Sequence, residues 1–273
     1  MNKSFKLASN LVSINWLHYN LQLENLVILD ATINKKIDDD SLCIPNARFF
    51  DIKGKFSNLN AQFPSTLPNE SQFESEAQVL GINNDSVIVV YDDRGIYSSV
   101  RAWWLFKTFG FNNIVVLDGG LPEWKANNFK LDNFDQTAMV TGDFSAIYQP
   151  ELMTNFLDLQ SFIDDSQTLI IDARSKDRFD CLVDEPRAGL RRGTIPNSIN
   201  LPYTELFDNN KLKPVKELST IFNKLVKKES QLVFSCGSGI TACILALAAK
   251  LCNYNNLAVY DGSWAEYGTL TNK

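Results

Sequence analysis

The chain is poor in histidine, since His18 is the only one among 273 residues. A cysteine or serine nucleophile that needs a histidine base would have to use this one imidazole, which lies in a helix-like stretch near the N-terminus. The pattern favours a helix or surface residue at position 18. We therefore expect any nucleophile in this chain to be activated without histidine.

Cysteine is also scarce, and its spacing is irregular. The chain has five cysteines, an odd number, and no Cys-x-x-Cys pair. This pattern argues against a disulfide framework and against a zinc knuckle. The sequence predicts reduced thiols in a reducing compartment, with no metal and no cofactor.

Long apolar runs and excess positive charge are missing as well. The longest apolar run, Ala242 to Ala249, ends at Lys250 and falls short of the roughly 18 residues that a membrane span requires. The N-terminal segment lacks the continuous apolar region of a secretion signal. A net charge of −6 disfavours nucleic acid as a partner. These features predict a cytoplasmic protein with neither a membrane nor a nucleic-acid partner.

An internal repeat organises the chain. Residues 91–124 and 234–267 match without a gap, with 25 positions from Asp93 to Asp118 and 25 from Cys236 to Asp261. Upstream, the matching segments are Leu29–Ala31 with Ile171–Ala173 and Ile44–Asn46 with Ile195–Asn197. The repeat indicates a tandem duplication, in which Asp93 is the counterpart of Cys236.

Within each half, short β-branched runs alternate with helical stretches, which predicts parallel strands joined by crossover helices. The predicted strands are Leu26–Asp30, Val87–Tyr91, Ile114–Leu117, Thr168–Ile171, Leu232–Phe234 and Leu257–Tyr260, and helices are expected at about 98–109 and 240–252. The expected fold is α/β, with a domain at 1–127, a linker at 128–150 and a domain at 151–273. Because a carboxylate cannot perform thiol chemistry, the first domain is predicted to be catalytically silent.

The segment Cys236–Cys243, CGSGITAC, places a cysteine between the apolar run Leu232–Phe234 and an alanine-rich helical stretch. Gly237 and Gly239 allow the backbone to curl so that successive N–H groups point inward, and the helix start adds the positive end of its dipole. Such surroundings stabilise a thiolate. A buried structural cysteine before a glycine-rich turn is the plainer alternative.

Cysteine-dependent phosphatases also carry their nucleophile in a strand–loop–helix corner. Their loop has an arginine that clamps the phosphate, whereas the corresponding position here is Ala242. The loop therefore favours sulfur chemistry, in which a thiolate attacks sulfur without a general base. Ser238 and Thr241 are interpreted either as hydroxyl donors within the loop or as caps of the following helix.

Arginines are concentrated between Asp172 and Ile195. This connection is nine residues longer than its counterpart between Asp30 and Ile44, and it contains Arg174, Arg178, Arg187, Arg191 and Arg192. Acidic residues lie among them, so a mutually paired surface loop is one interpretation. The other is that some of these arginines bind a carboxylate substrate.

At this point the residues resemble a known family. The tandem halves, the loop CGSGITAC and the segments 172–179, 184–202, 44–52 and 260–268 resemble the rhodanese superfamily and, within it, the 3-mercaptopyruvate sulfurtransferases. The resemblance covers nearly the whole chain. It implies two rhodanese-like domains, each a parallel sheet flanked by helices.

The resemblance also implies roles for individual residues. Cys236 corresponds to the nucleophile that carries sulfur as a persulfide, and Ser238 and Asp51 to the other members of a proposed triad. The cradle of the persulfide corresponds to Gly237, Ser238, Gly239, Ile240 and Thr241. Arg178 and Arg187 correspond to the pair that binds the carboxylate and ketone of the substrate.

The implied activity is transfer of sulfane sulfur from 3-mercaptopyruvate to an acceptor, with release of pyruvate. Thioredoxin, small thiols and cyanide are the acceptors that the resemblance suggests. Thiosulfate as the preferred donor and a non-catalytic sulfur carrier are the alternatives. Cys181, within the arginine segment, is interpreted as a simple replacement or as a redox partner of Cys236, while Cys243 and Cys252 are expected in the core.

Overall fold

The computed structural model describes residues 6–38, 41–135, 139–226 and 230–271. It divides into two compact units. The first comprises Met1–Asn58, Leu67–Gln149 and Asn209–Leu212, and the second comprises Leu59–Thr66, Pro150–Asp208 and Lys213–Lys273. One of the passages between the units, from Gln149 to Pro150, falls within the segment predicted as a linker, of which residues 136–138 lie outside the described residues. The domain limits at 127 and 151 stay predictions.

The first part of the chain builds a five-stranded sheet and a short antiparallel pair of strands. Its strands are Leu11–Val12 (β1), Leu26–Asp30 (β2), Leu42–Cys43 (β3), Ala47–Phe49 (β4), Val87–Tyr91 (β5), Ile114–Leu117 (β6) and Asp132–Asn133 (β7). Its helices are Ile14–Asn20 (α1), Glu70–Val79 (α2), Ser99–Thr108 (α3) and Gly120–Ala126 (α4). The main sheet has the order β1-β6-β5-β2-β4 and is parallel throughout, whereas β3 pairs with β7 antiparallel.

After Gln149 the same arrangement recurs. The strands are Met153–Thr154 (β8), Thr168–Asp172 (β9), Ile199–Asn200 (β10), Phe207–Asp208 (β11), Lys211–Leu212 (β12), Gln231–Ser235 (β13) and Leu257–Tyr260 (β14). The helices are Phe156–Phe162 (α5), Lys176–Phe179 (α6), Val215–Leu225 (α7), Ala242–Leu251 (α8) and Ser263–Leu270 (α9). The second parallel sheet has the order β10-β9-β13-β14-β8, which repeats the first. The predicted α/β class with two parallel sheets is confirmed.

Burial explains why the central strands form where they do. All five residues of β5 are buried, as are the four of β14, because helices cover both faces of a parallel sheet. Helix α8 is buried from Ala242 to Ala249, so the longest apolar run of the chain is a core helix. No helix in the described part of the chain has both the length and the apolar character needed to cross a membrane.

His18 lies in α1 and packs within the first unit. Its ring stacks on Phe129, with 4.0 Å between ring centroids, and contacts Trp124 edge-on at 5.9 Å. This residue is therefore a packed helix residue of the first unit.

The strand ladders correct the sequence comparison of the two halves by one residue. Asp30 pairs with Tyr91, and its counterpart Asp172 pairs with Ser235. The residue that follows each strand is then Asp92 in the first unit and Cys236 in the second. Asp93 is therefore not the counterpart of Cys236, because the first loop is one residue longer and the gapless match hid the insertion.

Candidate active site

Cys236 lies where the sequence predicts it, directly after β13 and six residues before the start of α8. It is a free thiol and is 2% exposed. The carboxyl ends of parallel strands form the edge at which α/β proteins bind ligands. The cysteine thus occupies the end of the central strand of the second sheet.

The start of α9 holds the cysteine loop from one side. The backbone N–H groups of Cys236 and Gly239 both donate to Oγ of Ser263, at 3.1 and 3.0 Å. In return, the N–H of Trp264 donates to the carbonyl of Cys236 and that of Ala265 to the carbonyl of Gly237, both at 3.0 Å. Four hydrogen bonds from one helix start therefore fix the first half of the loop.

Ser263 is a functional candidate that the sequence analysis missed. It is fully buried, has a φ of +49°, and donates from Oγ to the carbonyl of Tyr260 at 2.9 Å. The same oxygen lies 3.9 Å from Sγ of Cys236. Its counterpart in the first unit is Gly120, at φ +51°. The sequence does contain a signal for this residue. The first half reads Asp-Gly-Gly at 118–120 and the second reads Asp-Gly-Ser at 261–263, so a serine replaces glycine at a position that favours glycine.

The second half of the loop leaves backbone donors open. Within the described part of the second unit, the N–H groups of Gly237, Ser238, Ile240 and Thr241 have no acceptor. Thr241 is the N-cap of α8 but makes no side-chain capping bond, so the capping interpretation of Thr241 is wrong. The hydroxyl of Ser238, half-buried, likewise has no hydrogen-bond partner in that part. These open donors lie among the five residues that follow the cysteine along the loop.

The equivalent loop of the first unit is closed by its own anion. Oδ2 of Asp92 accepts the N–H groups of Tyr97, Ser98 and Ser99 at 2.7–3.0 Å and the hydroxyl of Ser99 at 2.6 Å. Oδ1 accepts the N–H of Arg94 at 2.9 Å. The carboxylate at the cysteine's position therefore fills the space between the loop and the start of α3.

Asp93, which the sequence assigned to this place, is exposed. Its N–H donates to Oγ1 of Thr32 at 3.1 Å. Although exposed, its carboxyl loses part of its hydration to the surrounding protein, and this loss, followed by the neighbouring carboxylates of Asp92 and Asp30, raises the pKa of the side chain. Asp93 is thus a neighbour of the filled loop.

Arg174 is the buried anchor of the arginine segment. Its guanidinium donates to both carboxylate oxygens of Asp172 at 2.6–3.1 Å, to Glu185 at 2.7 Å and to the carbonyl of Gly193 at 3.0 Å. It lies 4.8 Å from the ring of Trp264. Burial acts to lower the pKa of this guanidinium, but Asp172 and Glu185 outweigh it and raise that pKa.

Arg178 is the arginine that the structure brings to the cysteine loop. Its Nε and Nη2 donate to the two carboxylate oxygens of Glu185, at 3.3 and 2.5 Å. A β-carbon built on Gly237 would lie 3.1 Å from Nη2, so glycine leaves the room that the guanidinium occupies. The side chain keeps 23% of its surface exposed.

The other arginines have different surroundings. Arg191 donates to the carbonyls of Gly268 and Thr271, and Arg192 forms an exposed pair with Asp184. Arg187 is exposed and, within the described part of the second unit, its side chain has no partner. The segment is therefore a paired surface loop only in part.

Asp51 belongs to the first unit, where its Oδ1 accepts the N–H of Gly54 at 3.0 Å. Its role in a triad stays a prediction.

Of the remaining cysteines, Cys243 is buried on α8, Cys252 is half-buried at the end of that helix, and Cys181 is exposed. In the described ranges, no group of three or more histidine, cysteine, aspartate or glutamate side chains is arranged to hold a metal ion.

Comparisons with known proteins agree with this geometry. The rhodanese-like domain profile matches twice, at residues 13–127 and 156–269. The 3-mercaptopyruvate sulfurtransferase of Escherichia coli K12 is 35% identical over 94% of this chain and 94% of its own. Thiosulfate/3-mercaptopyruvate sulfurtransferase 1, mitochondrial, of Arabidopsis thaliana is 35% identical over 97% of this chain and 78% of its own. The crystal structure of the E. coli 3-mercaptopyruvate sulfotransferase SseA superposes with a TM-score of 0.83 at 33% identity, covering 94% of this chain and 99% of that one.

The filled loop of the first unit gives a stability prediction. Replacing Asp92 with Asn removes the charge that receives four N–H groups, and we expect the free energy of unfolding to fall by about 2–3 kcal/mol in urea titrations. Asp93→Asn is the matched control. Because the folded-state pKa of Asp93 is raised, its ionisation opposes folding near neutral pH, so Asp93→Asn should be neutral or mildly stabilising there. That gain should disappear in acid, where the carboxyl is protonated in both states. Equal losses in the two variants would contradict the assignment.

Ser263 gives a second prediction. Ser263→Ala keeps the β-carbon at the left-handed φ but leaves two buried N–H groups without their Oγ acceptor, so we expect a loss of about 1–3 kcal/mol in unfolding free energy. Ser263→Gly loses the same acceptor but relieves the backbone, and should be more stable than Ser263→Ala by about 1 kcal/mol. A Ser263→Ala protein as stable as the wild type would show that the hydroxyl contributes nothing, since that variant changes the hydroxyl alone.

Proposed function

Because this chain belongs to the rhodanese-like family, we propose that it is a sulfurtransferase that takes the sulfur atom of 3-mercaptopyruvate onto Cys236 and releases pyruvate. One observation carries the proposal. A buried thiol lies beside open backbone donors, and a guanidinium that can bind a carboxylate lies over the same loop. The curated relatives named for this activity match nearly the full length of the chain.

The first half of the reaction forms the persulfide. The Cys236 thiolate attacks the thiol sulfur of the substrate, a sulfur–sulfur bond forms, and the carbon–sulfur bond breaks. The electron pair of the broken bond passes to the substrate carbon and is delocalised as the enolate of pyruvate, which is then protonated. Arginine and hydrogen-bond donors stabilise the negative charge on the enolate oxygen.

The second half regenerates the thiolate. An acceptor thiolate attacks the outer sulfur of the persulfide, forms a new sulfur–sulfur bond, and leaves the electron pair on Cys236. Thioredoxin and small thiols are the acceptors that we propose for this step. Cyanide attacks the same outer sulfur through its carbon, so that a carbon–sulfur bond forms, the sulfur–sulfur bond of the persulfide breaks and thiocyanate is released. Until that attack, the open N–H groups of Gly237, Ser238, Ile240 and Thr241 hold the negative outer sulfur.

The substrate has three groups to place. We assign Arg178 and Arg187 to its carboxylate and ketone, since a guanidinium binds both oxygens of a carboxylate in a fork. Ser238 and Asp51 complete the proposed catalytic set with Cys236. Five free thiols suit a reducing compartment, so a cytoplasmic location is part of the proposal, although the Arabidopsis relative is mitochondrial by name.

Thiosulfate is the second candidate donor, because the name of the Arabidopsis relative includes both substrates. The two donors differ in the group that the arginines would bind, a flat carboxylate or a tetrahedral sulfonate. A non-catalytic carrier would accept sulfur but would not cleave a donor.

The proposal predicts a persulfide on one cysteine. Incubation with 3-mercaptopyruvate should add the mass of one sulfur atom to the peptide that contains Cys236 and release pyruvate. Cys236→Ser should do neither, while Cys181→Ser, which removes an exposed thiol of the same unit, should do both. Peptide mass spectrometry and a pyruvate assay measure these outcomes. Absence of adduct and pyruvate in the wild-type protein would refute the function, and an adduct without turnover would favour the carrier.

The role of Arg187 predicts donor selectivity. Arg187→Ala should lower kcat/KM for 3-mercaptopyruvate by the equivalent of about 2–5 kcal/mol, because a charge-assisted fork to the carboxylate is lost. The loss for thiosulfate should be smaller. Arg192→Ala, which removes an exposed arginine of the same segment, is the control and should leave both donors unchanged. Equal losses for the two donors would exclude carboxylate recognition by Arg187.

A further inference from the structure

Glu185 is a buried carboxylate in a segment that is otherwise exposed. Asp184, Pro186 and Arg187 are all exposed, whereas the side chain of Glu185 is 1% exposed. A carboxylate loses its hydration on burial and is retained where cations replace the water. The cations at Glu185 are two arginines, one anchored in the core and one at the cysteine loop.

The contacts of Glu185 are specific to its two oxygens. Oε1 accepts from Nη1 of Arg174 at 2.7 Å and from Nε of Arg178 at 3.3 Å. Oε2 accepts from Nη2 of Arg178 at 2.5 Å. The carboxylate therefore binds the Nε–Nη2 edge of Arg178 as a fork, which fixes the plane of that guanidinium.

This fork determines which donors of Arg178 stay available. A guanidinium has five N–H groups, and Glu185 takes the one on Nε and one on Nη2. Both N–H groups of Nη1 and the second one of Nη2 are left. The β-position of Gly237 is 3.1 Å from Nη2 and 4.0 Å from Nη1, so these donors lie at the cysteine loop.

The other side of Glu185 is rigid. Arg174 is fully buried between Asp172, at the end of β9, and the ring of Trp264. Trp264 in turn holds the carbonyl of Cys236 through its N–H. Arg178 is therefore connected to Arg174 through Glu185, and the cysteine loop is connected to Arg174 through Trp264. Glu185 is the link in the first of these two connections.

We propose that Glu185 is a positioning residue for the substrate, which acts through Arg178. It holds the Nε–Nη2 edge so that the Nη1–Nη2 end faces the cysteine loop and receives the carboxylate and ketone end of an α-keto acid thiol. This inference rests on the proposed function. Without Glu185, the arginine keeps its charge but loses its orientation.

The charge of Glu185 and its orienting contact with Arg178 predict opposite effects of a Glu185 substitution on binding of the substrate carboxylate, which makes the inference testable. Removing the negative charge of Glu185 leaves the site more positive, and that effect alone would strengthen the binding of a carboxylate. Losing the fork frees a long side chain whose rotamers must then be ordered by the substrate, which weakens binding. If Glu185 acts by positioning, the second effect wins.

The experiment is a double-mutant cycle on the full chain with 3-mercaptopyruvate as donor and cyanide as acceptor. Glu185→Gln should raise KM for 3-mercaptopyruvate on the order of tenfold, with persulfide formation at saturating donor little changed. In an Arg178→Ala background, the same substitution should change KM no further, because the residue through which it acts is gone. Asp184→Asn, an exposed carboxylate one position away, is the control and should leave KM unchanged.

Thermal unfolding is measured for every variant, and Glu185→Asp serves if Glu185→Gln does not fold. The aspartate keeps the charge but is one methylene too short to span both arginines, so it should raise KM as well. An unchanged or lower KM in the single variant, or a further rise in the Arg178→Ala background, would overturn the inference while the proposed function stands. A wild-type protein that forms no persulfide would overturn both.

Discussion

The site depends on how each unit satisfies the N–H groups between its central strand and the helix that follows. Such groups have no partner within the helix and attract negative charge. In the first unit the carboxylate of Asp92 receives them, together with the hydroxyl of Ser99. In the second unit the same backbone position carries Cys236, and in the described part of that unit the N–H groups of Gly237, Ser238, Ile240 and Thr241 are open. One copy of the fold therefore contains its own anion, and the other has open donors to which the proposed function assigns the negative sulfur.

The buried arginine cluster is the second constraint. Asp172 and Glu185 compensate the buried charge of Arg174, and these contacts also fix the segment that carries Arg178. The ring of Trp264 lies 4.8 Å from both Arg174 and Arg191. Since Trp264 also binds the backbone of Cys236, the packing that supports the arginines supports the loop. Arg178, to which the proposed function assigns the substrate, and the loop that carries the thiol thus share one framework.

The sequence predicted the parts of this arrangement that are local. Continuous apolar runs such as Val87–Tyr91 identified the central strands, and glycine spacing after Cys236 identified the loop. The edge strands Leu11–Val12 and Met153–Thr154 were missed because two residues carry no periodic signal. Glu185 was grouped with a surface loop because a sequence shows a charge but not its burial. Ser263 was missed because its contacts to Cys236 and Gly239 join positions far apart in the chain.

The misassignment of Asp93 has the most informative cause. A gapless match of 25 positions placed Asp93 opposite Cys236, but the strand ladders place Asp92 there, and the first loop contains the extra residue. The longer loop also explains Gly120, since a β-carbon at that position would lie 2.4 Å from the carbonyl oxygen of Gly95. The shorter loop of the second unit leaves that space free for Ser263. A thiol introduced at position 93 would therefore lie outside a loop that Asp92 already fills. Converting the first unit into a thiol-carrying one therefore requires three changes. These are cysteine in place of Asp92, a loop shorter by one residue, and serine in place of Gly120, which the shorter loop can accommodate.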